Sequence, residues 1–193
     1  MTVNSDCKEN IRLAKSELRI KNKQLRKETF SRETNSLILE KLRKFEVYRK
    51  ARKVLAFFPL PYEVDLSELF VKNEDKKDWF LPKFCEDKMY ACKFCGLEFL
   101  IDGNFNTKEP AGNEVITPQE LDLIILPALA ADEKGNRLGY GKGCYDTFLS
   151  SSGINAALVL PIQDNLIVEN VPVEPCDKKV HVVLSEKRLV SVK

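Results

Sequence analysis

The chain has 193 residues, 44% of them apolar, and a formal charge of +2, which suits one soluble domain, residues 1–193, with a sizeable core. Its longest apolar run, Leu121 to Ala131, is interrupted by Asp122 and Pro127, and the opening MTVNSDCKEN has no apolar signal region, so a cytoplasmic protein that avoids membranes is expected. Residues 1–53 hold 16 Lys and Arg against 7 Asp and Glu, an excess of nine positive charges, and this basic segment fits either nucleic-acid binding or the solvated face of helices.

From about Lys8 to Leu25, apolar residues at Ile11, Ala14, Leu18 and Leu25 mark one face of a helix. The basic side chains mostly lie off that stripe, and Lys15 and Arg19, four apart, could meet a common anion or stay solvated. A second helix is predicted from about Arg32 to Arg52, with Leu37, Leu39, Leu42, Phe45 and Tyr48 as its apolar residues. Val54 to Phe58 reads as a buried strand. Pro59 and Pro61 end it, placing Glu63 just past a strand end, where α/β proteins build their sites. A helix over Asp65 to Val71 follows, with Asp65 or Ser67 as a cap, then strands at Trp79 to Leu81, Met89 to Cys95 and Leu97 to Ile101. Thr117-Pro118-Gln119-Glu120 has the form of a capped helical turn. Leu123 to Leu126 is the strongest strand signal, and Ala157 to Leu160, Val180 to Leu184 and Leu189 to Val192 complete the set. Strands alternating with helices predict an α/β fold, a largely parallel sheet covered by helices, with residues 1–53 packed on it as a basic helical segment.

The most unusual stretch is GNRLGYGKGCYD, Gly135 to Asp146. Gly135, Gly139, Gly141 and Gly143 are four of the eight glycines in the protein. Such a backbone can approach a ligand closely, and its amides can form a nest for an anion. Arg137 and Lys142 are interleaved with the glycines, and the stretch leads into a predicted helix running to about Ser151, an arrangement suited to phosphate. It is neither a P-loop, since Asn136 and Gly143 stand at required Gly and Ser/Thr positions, nor a GxGxxG dinucleotide turn.

The six cysteines are spread over a chain too long to need disulfide staples, so reduced thiols are expected. Cys92-x-x-Cys95 has zinc-ligand spacing without a second such pair. The single histidine, His181, lies in a strand-like run without a GxSxG nucleophile turn, which argues against a histidine-centred triad.

The segment DLIILPALAADEKGNRLGYGKGCYDTFL, Asp122 to Leu149, resembles the signature of the 5-formyltetrahydrofolate cyclo-ligase (methenyltetrahydrofolate synthetase) family. The resemblance extends to KxxLR at Lys15 to Arg19, to Glu63, Leu81-Pro82, Glu109-Pro110, and Pro172 through Asp177. It implies an enzyme that closes 5-formyltetrahydrofolate to 5,10-methenyltetrahydrofolate using ATP and Mg²⁺. Phosphorylation of the poor leaving group, the formyl oxygen, would precede attack by N10. By the same resemblance Lys15 and Arg19 would hold ATP phosphates. Arg137, Leu138, Gly139, Tyr140, Gly141, Lys142, Gly143, Cys144 and Tyr145 would wrap the nucleotide, with Lys142 and Arg137 serving phosphoryl transfer. Asp146 and Asp177 would serve Mg²⁺, and Phe58, Glu63, Phe84, Phe105 and Tyr140 would line the folate site. Cys144 stands where the family commonly has Tyr, Cys176 where bacterial members often have His, and Phe105-Asn106-Thr107 lacks the usual Gly-Ile. A monomer without a nucleic-acid partner is expected. The competing readings are a nucleic-acid-binding relative that uses the basic segment and a different ATP-dependent ligase or kinase acting on a small carboxylate or amide.

Overall fold

A computed structural model describes residues 3–86 and 88–192, with side chains from residue 8 onward. Helix α1 spans Val3–Thr29, α2 Arg32–Lys44 and α3 Glu46–Lys50, followed by β1 (Lys53–Leu55), α4 (Ser67–Lys72), β2 (Asp78–Cys85) and β3 (Lys88–Lys93). Short strands β4 (Leu100–Asp102), β5 (Lys108–Pro110) and β6 (Val115–Ile116) lead to β7 (Leu123–Ile125), a two-stranded arm of β8 (Ala130–Ala131) and β9 (Arg137–Leu138), and α5 (Cys144–Phe148). Strands β10 (Ala157–Pro161), β11 (Val182–Leu184) and β12 (Leu189–Ser191) close the chain.

The main sheet has eight strands in the order β12-β11-β10-β7-β1-β2-β3-β6. Its middle, β11 through β2, is parallel, while β12, β3 and β6 add antiparallel edges. Side chains on successive strand residues point to opposite faces, and both faces are covered. Val54, Leu123, Ile125 and Val159 pack with Ile38, Leu42, Tyr48 and Phe70 from α2 to α4. Leu55, Ile124, Leu158 and Leu160 pack with Phe148 and Leu149 on the other face. No helix among the described residues is long and apolar enough to cross a membrane.

Several predicted elements change on folding. The second helix breaks at Phe45, whose backbone is extended (φ −70°, ψ 126°). Leu39, Leu42, Phe45 and Tyr48 recur every three residues, so in a straight helix of about 3.6 residues per turn Tyr48 would lie half a turn away from Leu39. The break re-phases the chain, and both Leu39 and Tyr48 are buried. The predicted strand at Val54 is trimmed to end at Leu55. The run from Leu97 begins as a 3₁₀ turn over Leu97–Phe99 before β4. Helix α5 stops at Phe148 rather than Ser151: the Ser150 hydroxyl donates to the Asp146 carbonyl at 2.7 Å, and its own amide turns to Thr147 O at 3.1 Å. A serine side chain competing for a helical carbonyl ends the ladder. The capping box at Thr117 and Glu120 forms.

Helix α1 departs most from its prediction. Among its described side chains the buried ones are Lys15, Asn22 and Arg26, whereas Ile11, Ala14, Leu18 and Leu25 are only partly covered. Lys15, Arg19, Asn22 and Arg26 are spaced four, three and four apart and form a polar stripe beside the apolar one. Asn22 Nδ2 donates to Leu129 O at 2.9 Å.

Candidate active site

The chain runs from β1 outward to β2, later returns to the other side of β1 as β7, and continues away through β10 and β11. The order therefore reverses between β1 and β7, and ligands of open α/β sheets bind beyond the strand ends at such a point. A cavity of about 460 Å³ lies there, within the range of small-molecule sites. The segment after β1 contributes Phe58 and Glu63, and the segment after β7 contributes Arg137 through Asp146. Helix α1 adds Lys15 and Arg19, the aromatic wall adds Phe84 and Phe105, and the C-terminal approach to β11 adds Glu174, Cys176 and Asp177. Strand β2 supplies Phe84 of this wall because it outruns β1, whose pairing stops at Phe80, and Phe105 comes from the turn between β4 and β5. Pro82, lacking an N–H, falls in the stretch beyond β1 that pairs only with β3.

One end of the cavity is cationic. Arg19 Nε donates to Gly139 O at 3.0 Å, and a Cβ on Gly141 (φ +97°) would come within 3.3 Å of the Arg19 guanidinium carbon. Glycine at 141 thus serves both an unusual φ and a close approach. Lys15 Nζ donates to Glu174 at 2.8 Å and to Asp177 at 2.6 Å. Burial works against the Lys15 ammonium, but the hydrogen bonds to Asp177 and Glu174 outweigh it and hold its pKa above the ordinary lysine value. Arg137 pairs with Asp146 at 2.7 Å, and its Nε is buried without a partner among the described residues. Lys142 stands differently, its ammonium 5.6 Å from the Phe105 ring centroid.

The two candidate metal carboxylates share one pattern. Asp146 Oδ1 accepts from Arg137 and from the Lys178 amide at 3.0 Å. Asp177 Oδ2 accepts from Lys15 and from the Glu174 amide at 2.7 Å. Each keeps its other oxygen available for a water or a cation, the donor type that Mg²⁺ takes beside phosphate oxygens. Among the described residues no group of three or more His, Cys, Asp or Glu is arranged to hold a metal by itself. Cys92 is buried and hydrogen-bonded to Gly112 O, and His181 Nδ1 accepts from the Leu158 amide at 3.0 Å, so each has a structural partner.

The other end is apolar around one carboxylate. Phe84 and Phe105 meet edge to face at 5.3 Å. Glu63, 6% exposed, accepts from the Leu60 amide at 2.7 Å and from the Tyr140 hydroxyl. Burial pushes the Glu63 carboxyl above its ordinary value, against the lowering pull of Tyr140, Leu60 and Arg26. Burial, then the Glu63 charge, raises the pKa of the Tyr140 and Tyr145 hydroxyls well above the ordinary tyrosine value, so both remain donors. Tyr140 therefore links the glycine loop to the aromatic end.

The model of the 5-formyltetrahydrofolate cyclo-ligase family matches residues 4–186. The chain belongs to this family. A cyclo-ligase of Mus musculus is 31% identical over 166 residues, covering 78% of this chain and 81% of that protein. One from Mycolicibacterium smegmatis is 35% identical over 91 residues, covering 46% of this chain and 47% of that protein. The structure of Aquifex aeolicus 5,10-methenyltetrahydrofolate synthetase superposes with a TM-score of 0.82 at 29% identity, covering 93% of each chain.

In this cyclo-ligase family member, the charged partners of Lys15 and Glu63, Glu174 and Arg26, have no place in the sequence reading of the site. Glu174 carried no motif signal beyond lying between Pro172 and Asp177. Arg26 could have been found from its position on the Lys15, Arg19, Asn22 stripe. One consequence concerns Arg19, which touches the loop backbone directly. If it holds ATP phosphates as the family resemblance implies, its replacement by Ala is expected to weaken ATP binding by about 1.5–3 kcal/mol, the range for hydrogen bonds to charged groups. Calorimetric titration with ATP checks this, and unchanged affinity would detach Arg19 from the nucleotide.

Proposed function

We propose that the chain cyclises 5-formyltetrahydrofolate to 5,10-methenyltetrahydrofolate, with ATP and Mg²⁺ consumed and bound respectively and ADP and phosphate released. The observation that carries this reading is one cavity whose two ends differ in chemistry, a cation-and-glycine end continuous with an aromatic end around Glu63. Phosphates suit the first, and the N–H edge of a pterin suits the second. The γ-phosphoryl group moves to the formyl oxygen as ADP leaves. N10 then attacks the formyl carbon, the C–O bond breaks with release of phosphate, and the N10 proton passes to solvent. Little covalent help is needed, so the residues act by position and charge. Arg19 and the loop amides orient the phosphates, and Arg137 offers its unpartnered Nε–H to an anion. Glu63 orients the pterin, with Phe84 and Phe105 excluding water. Bound Mg²⁺, held through Asp146 and Asp177, would supply charge neutralisation for the phosphates. ADP release should require folate, ATP and Mg²⁺ together. Equal ADP release without folate would make the protein a plain ATPase, and no release with folate present would favour the alternative ligase or kinase.

Asp146→Asn keeps an oxygen for Arg137 and Lys178 but loses the charge. The Mg²⁺ concentration for half-maximal rate should therefore rise about tenfold or more, as for altered metal surroundings generally. A Mg²⁺ titration of initial rate at saturating ATP measures it, and an unchanged midpoint would move the role to Asp177.

A further inference from the structure

Arg26 lies two turns beyond Arg19 on α1 and is 8% exposed. Its Nη1 donates to the Tyr140 hydroxyl and stands 3.4 Å from Glu63 Oε1, and its guanidinium carbon lies 5.7 Å from the Tyr140 ring centroid. It lines a separate recess of about 10 Å³ that also borders Glu63 and Gln163. Among the described residues it does not line the large cavity, whereas Glu63 borders both spaces. Arg26 thus meets the carboxylate from behind, while a ligand meets it from the cavity.

The chemistry gives that placement a consequence. A carboxylate removed from water tends to take up a proton unless a charge partner accompanies it. A protonated Glu63 would present an O–H where a pterin N–H needs an acceptor. Arginine keeps its charge at any working pH, so it is suited to the back of such a site. The other groups facing Glu63 are the Tyr140 and Tyr145 hydroxyls and the Leu60 amide, none of which brings a positive charge.

We infer that Arg26 is a positioning residue for substrate recognition, bracing Glu63 and Tyr140 so that Glu63 meets the pterin as an ionised acceptor in one orientation. The inference rests on the proposed function and deepens it. It also assigns α1 two tasks along one stripe, phosphate at Arg19 and pterin, indirectly, at Arg26.

The test uses Arg26→Met, Arg26→Lys and the parent, with 5-formyltetrahydrofolate and ATP titrated separately by calorimetry across the neutral pH range. Arg26→Met should weaken folate binding on the order of tenfold or more, with ATP affinity nearly unchanged. Its folate affinity should also fall at higher pH than the parent's as pH is lowered, because the unbraced carboxyl protonates sooner. Arg26→Lys should restore the parent's pH profile and part of the affinity, since it returns the charge without the fork. In a Glu63→Gln background the Met substitution should add little, because no carboxylate remains to brace. Equal loss of both ligands, a pH profile parallel to the parent, or an undiminished effect in the Glu63→Gln background would overturn the role. If the parent itself fails to bind 5-formyltetrahydrofolate, the functional reading falls and the inference falls with it. Failure of the Arg26 variants alone to differ from the parent would remove only the inference.

Discussion

Replacing Lys142 with Met should lower kcat by about a hundredfold or more, the scale of losing one electrostatic donor, while ATP affinity changes far less. Lys142 sits between Gly141 (φ +97°) and Gly143 (φ +67°), so no neighbouring side chain holds it. Four other cavity cations have partners, Lys15 with Glu174 and Asp177, Arg137 with Asp146, Arg19 with a loop carbonyl and Lys108 with Asp102. Lys142 rests on the face of Phe105, a contact of only about 0.5–1 kcal/mol at an exposed site. In the proposed transfer it can leave that face as charge shifts toward the formyl oxygen. An ammonium that gains its partner late stabilises the transition state more than bound ATP, and the loss falls on kcat. Lys142→Arg should recover little, because a planar fork does not replace a compact ammonium. Single-turnover measurement at saturating ATP decides it: a Lys142→Met protein that still forms methenyltetrahydrofolate near the parental rate would end the catalytic role.

Glu63→Gln should weaken 5-formyltetrahydrofolate binding by about 1.5–3 kcal/mol, the range for charge-assisted hydrogen bonds, and leave ATP affinity in place. Glutamine keeps an oxygen for Tyr140 but presents an amide N–H₂ where the carboxylate offered a second acceptor. Stability should fall as well, since the buried Arg26 charge loses its counter-ion, and unpairing a buried ion is costly. The wild-type carboxyl, raised by burial, implies a matching pH response. Folate affinity should be full above the raised Glu63 pKa and decline as pH falls through it. Separate titrations of folate and ATP, with a melting curve for each variant, measure all three effects. Equal loss of both ligands would place Glu63 in the scaffold.

The parts of the site legible in the sequence are those whose residues lie close together along it. Glycines and cations from Gly135 to Gly143 stand out because the spacing itself is the signal, and residues 137–143 line the cavity. Strand β7 was plain because Leu123, Ile124 and Ile125 are all buried, as a central parallel strand requires. Helix α1 misled because buried polar residues at helical spacing look the same in sequence as solvated ones. Only their distant partners distinguish them: Lys15 meets Asp177 across 162 positions and Arg26 meets Tyr140 across 114. The break at Phe45 was legible in principle, since spacings of three drift around a helix, but helix-forming residues on both sides concealed it. The antiparallel edges depend on the hairpin joining β2 to β3 and on the return of β12, pairings that local patterning does not specify.

On the proposed function, this cavity closes a formyl group onto N10 at the expense of ATP. Mixing the protein with one equivalent of 5-formyltetrahydrofolate, excess ATP and Mg²⁺, and following near-ultraviolet absorbance, tests it most directly. The cyclo-ligase reading predicts growth of the methenyltetrahydrofolate band to about one equivalent, dependent on ATP and abolished by chelating Mg²⁺. A flat trace with both ligands demonstrably bound would contradict it.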